Sequence, residues 1–199
     1  MEGMDHGSMD HGDMNMRDPS LAPPGMAVGV GVQTISPMPE NRLAERPLGL
    51  ENEPHRVLVY TDLVALNPKN DTRPPSRTLE IHLTGNMERY MWGFDGRRFS
   101  EIVEPIRFER NERVRVTLVN DTMMQHPIHL HGHFFELVNG HAGNQPLKHT
   151  VNVAPGGRLS FDLTADNPGD WAFHCHMMMH MHSGMFNVVT IRPLDGVAP

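Results

Sequence analysis

The stretch RVRVTLVN at Arg113–Asn120 alternates polar and apolar residues and places Val114, Val116 and Leu118 on one side. Side chains of a β-strand point alternately to its two faces, so this pattern predicts a strand with one face in a core. Upstream, TLEIHLTG at residues 78–85 shows the same alternation. Two such strands with a polar outer side are typical of a sheet that packs on one face.

Further strand-like segments, separated by turns rich in Gly and Pro, follow the same pattern. They are RVLVYTDLVAL (56–66), YMWGFDGRRF (90–99), HLHGHFFELV (129–138), HTVNVAP (149–155), RLSFDLTA (158–165), WAFHCH (171–176) and MFNVVTIRP (185–193). The second of these predicts a hairpin that turns at Asp95 and Gly96. Short strands at regular spacing predict an all-β sandwich or barrel, with about seven or eight strands between Arg56 and Pro193. We expect one helix, of one or two turns, within residues 177–182.

Residues 1–55 differ in composition from the rest. They open with MEGMDHGSMDHGDMNMRD, in which MDHG occurs twice, and continue with sequence rich in Pro and Gly. Nothing there has a helical or strand period long enough to pack, which predicts a flexible Met/His-rich tail or an interdomain linker, disordered or lying on a partner. The folded domain is expected at residues 56–199.

Composition excludes some functions and favours another. The net charge is −7 and no run of Lys and Arg occurs, so nucleic acid is not an expected partner. No apolar stretch is long enough to predict a membrane span. The chain has 16 Met, 14 His and a single Cys, which leaves no internal disulfide but supplies the ligand types that copper prefers.

Potential metal ligands are concentrated in HPIHLHGH at residues 126–133 and HCHMMMHMHSGM at residues 174–185. In a strand, residues i and i+2 share a face, so His129 and His131 are expected together, as are His174 and His176, while Cys175 points the other way. One thiolate, two imidazoles and a long axial thioether make a blue-copper site, and the residues that fit this description are His126, Cys175, His180 and Met185. The remaining histidines face a second centre. His133, His141, His149 and His182 have no partner at a spacing typical of metal ligands, so they are expected to be ordinary polar or core residues.

These two segments resemble the last two copper motifs of the multicopper oxidases, HPxHLHGH and HCHxxxHxxxxM. The flanking HLTGNMERYMWGFDG and RVTLVNDTMMQHPIHLHG are similar to the copper-resistance branch of that family, whose members are periplasmic. The resemblance implies a cupredoxin-like Greek-key fold. It also implies a type 1 copper held by His126, Cys175, His180 and Met185, a type 2 copper bound by His129, and a type 3 pair bound by His131, His174 and His176.

In this family a substrate, with Cu(I) among the candidates here, loses one electron at a time to type 1 copper. Electrons then pass through Cys175, His174 and His176, the expected catalytic residues, to the trinuclear cluster, where dioxygen becomes water. The cluster requires eight His, and the chain supplies four at matching positions. The resemblance therefore implies partner N-terminal domains with two His-x-His motifs, and we expect a fragment or a split gene product. Some relatives carry an acid for proton delivery where this chain has three Met, at residues 177–179.

Two other functions stay open. One is a non-enzymatic copper-sequestering or electron-transfer protein, which the Met/His-rich start favours because flexible thioethers bind Cu(I). The other is a structural or regulatory subunit, which retention of all the type 1 ligands disfavours.

Overall fold

Short β-strands dominate the computed structural model, which describes residues 15–68 and 71–193. Within those residues it has eleven strands and one α-helix: β1 Arg77–Asn86, β2 Met91–Phe94, β3 Ile106–Glu109, β4 Arg113–Asn120, β5 His126–Leu130, β6 Phe135–Leu137, β7 Leu147–Lys148, β8 Thr150–Val153, β9 Arg158–Thr164, β10 Gly169–Cys175, α1 Met178–His182 and β11 Phe186–Arg192. Three 3-10 helices lie at Pro19–Leu21, Tyr60–Asp62 and Phe99–Glu101. No helix in this part of the chain has the length and apolarity that crossing a membrane requires.

The strands form two sheets that enclose one core. One sheet has the order β2-β1-β4-β9-β6-β7, and the other has the order β3-β11-β10-β5-β8. Alternate side chains of β4 and β9, among them Val116, Leu118 and Phe161, are buried between the sheets. The predicted all-β sandwich is confirmed, and its physical cause is the burial of the alternating apolar side chains of these strands between the two sheets.

The predicted number of strands is too low, because some strands are too short to show a period. β7 has two residues, and β3 has four, of which only Phe108 is buried. The predicted segment 129–138 also divides into β5 and β6, since the chain turns at Gly132, where φ is +70°. The hairpin prediction is confirmed: Asp95 and Gly96 have φ of +50° and +77°, and Phe94 and Arg97 exchange backbone hydrogen bonds. The helix prediction is confirmed by α1.

The predicted strand at residues 56–66 is wrong. In its place the chain forms a 3-10 turn at Tyr60–Asp62, and Leu58 is 66% exposed. The Asn139 side-chain amide donates to the carbonyls of Tyr60 and Leu63 at 2.8 Å each. Because a buried side chain satisfies these carbonyls, the segment needs no neighbouring strand.

Residues 15–50, which we call the N-terminal strap, run along the sandwich. The backbone N–H groups of Ala27 and Gln33 donate to carbonyls of the β1–β2 hairpin region, at Asp95 and Gly85. Further along, the Ser36 N–H donates to the Asp121 carboxylate at 2.9 Å.

The strap also contributes side chains to the interior, since Ile35 and Leu43 are each 3% exposed. The domain boundary at residue 55 stays a prediction, and the repeated MDHG segment lies outside the described residues.

Candidate metal centre

Two neighbouring strands carry the predicted metal ligands. β5 and β10 pair antiparallel, with His129 opposite His174 and Ile128 opposite Cys175. His126 is buried at the start of β5, whereas His129 is only half-buried, as expected for residues on opposite faces of one strand. The structure thus separates the predicted ligands into a buried group and an outer group.

His126, Cys175 and His180 form the buried His/Cys cluster. The Cys175 Sγ lies 3.7 Å from Nδ1 of His126 and 3.9 Å from Nδ1 of His180, and the two Nδ1 atoms are 3.2 Å apart. Ligands placed trigonally at the usual metal bond lengths of about 2.0–2.3 Å would be roughly 3.5–3.8 Å apart. The three donor atoms therefore surround a space that fits one metal ion, and a thiolate with two imidazoles suits copper.

A hydroxyl fixes the orientation of His126. Thr122 Oγ1 donates to the Asn120 side-chain oxygen at 2.9 Å and lies 2.7 Å from His126 Nε2. Since a hydroxyl has one proton to donate, Thr122 accepts the Nε2–H of the imidazole. That bond leaves the Nδ1 lone pair of His126 directed at the cluster, which is the usual role of a residue behind a metal ligand.

Burial also sets the protonation states. It lowers the pKa of His126 to about 3, with the charge of His180 as a second cause, and it lowers the pKa of His180. Burial raises the pKa of the Cys175 thiol to about 11. Both imidazoles are thus neutral at neutral pH and able to bind a metal, while the thiol must release a proton when a metal binds.

Met185 is placed beside Cys175 by the backbone. The Cys175 N–H donates to the Met185 carbonyl at 3.1 Å, and the Met185 N–H donates to the His180 carbonyl at 3.0 Å. The Met185 side chain is fully buried in the same core cluster as Cys175. Helix α1 closes this loop, so the backbones of two residues ten apart in sequence are hydrogen-bonded to each other.

The second group, which we call the outer histidine cluster, consists of His129, His131, His174 and His176. Nε2 of His131 lies 3.1 Å from Nε2 of His174, and the His129 ring centroid is 4.7 Å from that of His131 and 5.5 Å from that of His176. His129, His131 and His174 each offer a nitrogen within 4.8 Å of the others. His131 and His176 are exposed, so the cluster opens at the surface.

His149 belongs beside this cluster, although its sequence position gave no sign of it. His129 Nδ1 lies 2.6 Å from the His149 carbonyl oxygen and 3.3 Å from Nδ1 of His149. Donation to that carbonyl leaves Nε2 of His129 available to a metal. The contact arises because β8 pairs with β5, which spacing along the chain does not reveal.

His133 and His141 have structural surroundings. His133 lies edge-on to Trp171 and accepts from the Asn167 N–H, and Nε2 of His141 is 2.8 Å from the Thr61 carbonyl.

Trp92 is another residue that sequence reasoning missed. Its ring stacks on His180 with centroids 4.0 Å apart and planes 22° apart, and it meets His126 edge-on at 5.2 Å. The sequence predicted only a hairpin here. The sequence carries one signal for this contact, which is that Trp92 is an aromatic residue on a predicted strand beside the Asp95-Gly96 turn.

Comparisons with known proteins point to one family. A multicopper oxidase family model matches residues 72–195. Copper resistance protein A of Pseudomonas syringae pv. tomato is 45% identical over 81% of this chain and 26% of its own length. Copper resistance protein A of Escherichia coli is 44% identical, again over 81% of this chain and 26% of its own length. The multicopper oxidase MmcO of Mycobacterium tuberculosis is 38% identical over 65% of this chain.

Solved structures show the same fold. The McoA multicopper oxidase from Aquifex aeolicus superposes with a TM-score of 0.55 and 21% identity over 64% of this chain and 32% of its own. A blue copper oxidase from Nitrosomonas europaea superposes with a TM-score of 0.55 and 21% identity, over 63% of this chain and 47% of its own. The chain spans about a quarter of the length of the copper resistance proteins it matches. With the family model matching well over half of its residues, the chain belongs to the multicopper oxidases, a family that binds copper.

Proposed function

We propose that this chain is the type 1 copper domain of an oxidase related to copper resistance protein A, and that it also carries half of a trinuclear copper centre. The observation that carries the proposal is the trigonal arrangement of His126, Cys175 and His180 around a buried space. Met185, buried and hydrogen-bonded through its backbone to Cys175, would supply a weak thioether ligand. Copper bound there would take up and release single electrons between its Cu(II) and Cu(I) states.

The protein residues around the site have separate tasks. Thr122 holds the His126 ring, as its 2.7 Å hydrogen bond indicates. Burial excludes water from the thiolate and both imidazoles, so no solvent molecule competes as a ligand. The thioether of Met185 would adjust the reduction potential of a bound copper more than it would hold the metal.

Cys175 connects the two clusters covalently. It is bonded through the backbone to His174 and His176, whose rings belong to the outer histidine cluster. Electrons from a reducing substrate, with Cu(I) as one candidate, would follow this short bonded path. Their destination would be dioxygen, which is reduced to water.

The outer histidine cluster is the surface at which a partner would complete the trinuclear centre. We assign His129 to type 2 copper, and His131, His174 and His176 to the type 3 pair. Three imidazoles cannot complete two type 3 coppers. The exposed edges of His131 and His176 support docking of N-terminal multicopper oxidase domains that bring two His-x-His motifs. By similarity to the copper resistance proteins, we place the assembled enzyme in the periplasm.

A copper-sequestering or electron-transfer protein is the alternative. An electron-transfer protein needs one metal site and does not require the second cluster, in which His131 and His174 are 3.1 Å apart. Against a sequestering protein, the match to the multicopper oxidase family favours the enzyme.

The type 1 assignment is tested by the colour of the copper-loaded chain. Wild type should show strong visible absorption from the thiolate–copper bond, and Cys175→Ser should abolish it. Met178→Leu, at an exposed position of α1, is the matched control and should keep the colour. A colourless copper-loaded wild type with Cys175 reduced and intact would contradict the assignment.

Oxygen uptake tests the partner assignment. The chain alone should not reduce dioxygen to water, and N-terminal domains supplied in trans should give copper-dependent uptake. His176→Ala should remove that uptake and spare the blue colour. Full turnover by the purified monomeric chain would disprove the need for a partner.

A further inference from the structure

The two imidazoles of the buried His/Cys cluster are closed to solvent within this chain. His126 is fully buried and His180 is 1% exposed. Docking of any further domain on the chain can only lower the solvent accessibility of these rings. An electron donor must therefore act through a group that lies over the imidazoles.

Trp92 is the aromatic group that lies directly on His180, with the 4.0 Å stacking distance given above. Its position is maintained at a cost, because the buried indole N–H has no hydrogen-bond partner in the described part of the chain. Strand β1 makes room for the ring: a Cβ at Gly85 would lie 2.5 Å from Trp92 Cε3. A smaller side chain would avoid both the unpaired N–H and the requirement for glycine.

Tyr90 connects Trp92 with the surface. Its ring lies edge-on to Trp92 at 6.0 Å and to His180 at 6.2 Å, and the residue is 44% exposed. The Tyr90 backbone has φ of +51°, in the left-handed region that residues other than glycine rarely occupy. Backbone strain of this kind is concentrated at functional sites, where it holds a side chain in a required direction.

We infer that Tyr90 and Trp92 form the electron-uptake contact of the buried His/Cys cluster, which serves outer-sphere one-electron donors such as reduced metal complexes. This inference rests on the proposed type 1 site. In each transfer one electron leaves the donor and the bound copper goes from Cu(II) to Cu(I), while no bond forms or breaks and no proton moves. Because donors meet a ring and never the His180 nitrogen, the site selects donors that need no hydrogen bond to that imidazole.

The test is the anaerobic bleaching of the blue absorption of the copper-loaded chain by ferrocyanide in a stopped-flow instrument. We compare wild type with Trp92→Leu, Trp92→Phe and Tyr90→Leu. Phe134→Leu is the control, because Phe134 is also an exposed aromatic residue but lies beside His149. The reduction potential of each protein is measured as well, so that rates are compared at equal driving force.

We expect a several-fold fall in bleaching rate for Trp92→Leu and Tyr90→Leu, a rate near that of wild type for Trp92→Phe, and no change for Phe134→Leu. In a Trp171→Phe background, copper binding should quench the fluorescence of Trp92, which reports its contact with the site independently of any reaction. If Trp92→Leu cannot be loaded, Trp92→Phe and Tyr90→Leu still decide the question.

Faster bleaching in Trp92→Leu would overturn the inference, since Trp92 would then be a barrier. Unchanged rates in both Trp92→Leu and Tyr90→Leu would also overturn it, because electrons would enter elsewhere. Absence of blue colour in wild type would instead refute the type 1 site itself, so the two failures are distinguishable.

Discussion

Acid should destabilise the copper-free protein, and His126 gives the scale of the effect. Burial lowers the pKa of this imidazole to about 3 in the folded chain, whereas an unfolded chain titrates near 6.5. Between these values the unfolded state binds one more proton than the folded state, so stability is lost as pH falls. The slope is about 1.4 kcal/mol per pH unit, which amounts to about 2 kcal/mol between pH 6.5 and 5.

Other histidines also contribute to the dependence of the free energy of unfolding on pH. Burial also lowers the pKa of His133, His174 and His180, and each of them adds to the loss of stability in acid. His82 acts the other way: burial opposes its protonation, but the hydrogen bond and charge of Asp121 raise its pKa above the usual value. The stability from His82 is therefore present in full below pH 6.5 and is lost as pH rises through its folded-state pKa.

The assay is urea unfolding of the copper-free chain, followed by circular dichroism between pH 7 and pH 5. His126→Gln removes the titrating group, so its stability should fall less steeply with acid than that of wild type, by about 1 kcal/mol per pH unit on average over this range. Wild-type stability that stays constant over this range, or equal slopes for the two proteins, would refute the argument that burial keeps His126 neutral.

Three further substitutions test the surroundings of the site and the strap. Met185→Leu should keep copper and colour but raise the reduction potential measured by redox titration, and loss of the metal would argue against an axial role. Thr122→Val should lower the free energy of unfolding by about 1–3 kcal/mol, because the buried His126 N–H loses its acceptor. The same substitution should shift the blue absorption band. An unchanged spectrum and an unchanged stability would show that the hydrogen bond is unimportant. Leu43→Ala should lower the free energy of chemical unfolding by about 2–5 kcal/mol, because Leu43 is buried. Leu48→Ala, at a residue 84% exposed, is the control and should leave that free energy nearly unchanged. Equal stabilities of the two variants would mean that the strap does not pack on the sandwich.

Strand geometry explains how much of the site could be predicted from the sequence. Because side chains alternate along a strand, the order His174-Cys175-His176 was sufficient to place the thiol on one face and two imidazoles on the other. The loop from Cys175 to Met185 was predictable for a similar reason, since one short helical turn brings its ends together. The structure places Cys175 and His180 together as the spacing indicated.

Contacts set by the pairing of distant strands could not be predicted. His149 reaches His129 only because β8 lies beside β5, and nothing in the local sequence of either strand states that pairing. Trp92 lies on β2 of one sheet and stacks on His180 of α1, the helix that follows β10 of the other sheet. The apolar run at residues 56–66 predicted a strand, but an asparagine side chain far along the chain satisfies its carbonyls instead.

The register of β10 has a consequence for how such a chain can change over generations. His174 lies opposite His129 and Cys175 opposite Ile128, and the side to which each residue points depends on whether its position is odd or even. Deletion of one residue within β10 would turn the Cys175 thiol toward the outer histidine cluster and the neighbouring imidazoles toward the buried one. A change of length after residue 176 would alter only the buried His/Cys cluster. An insertion or deletion within His174-Cys175-His176 should therefore damage both clusters together, whereas one in the loop that follows should damage the buried His/Cys cluster alone.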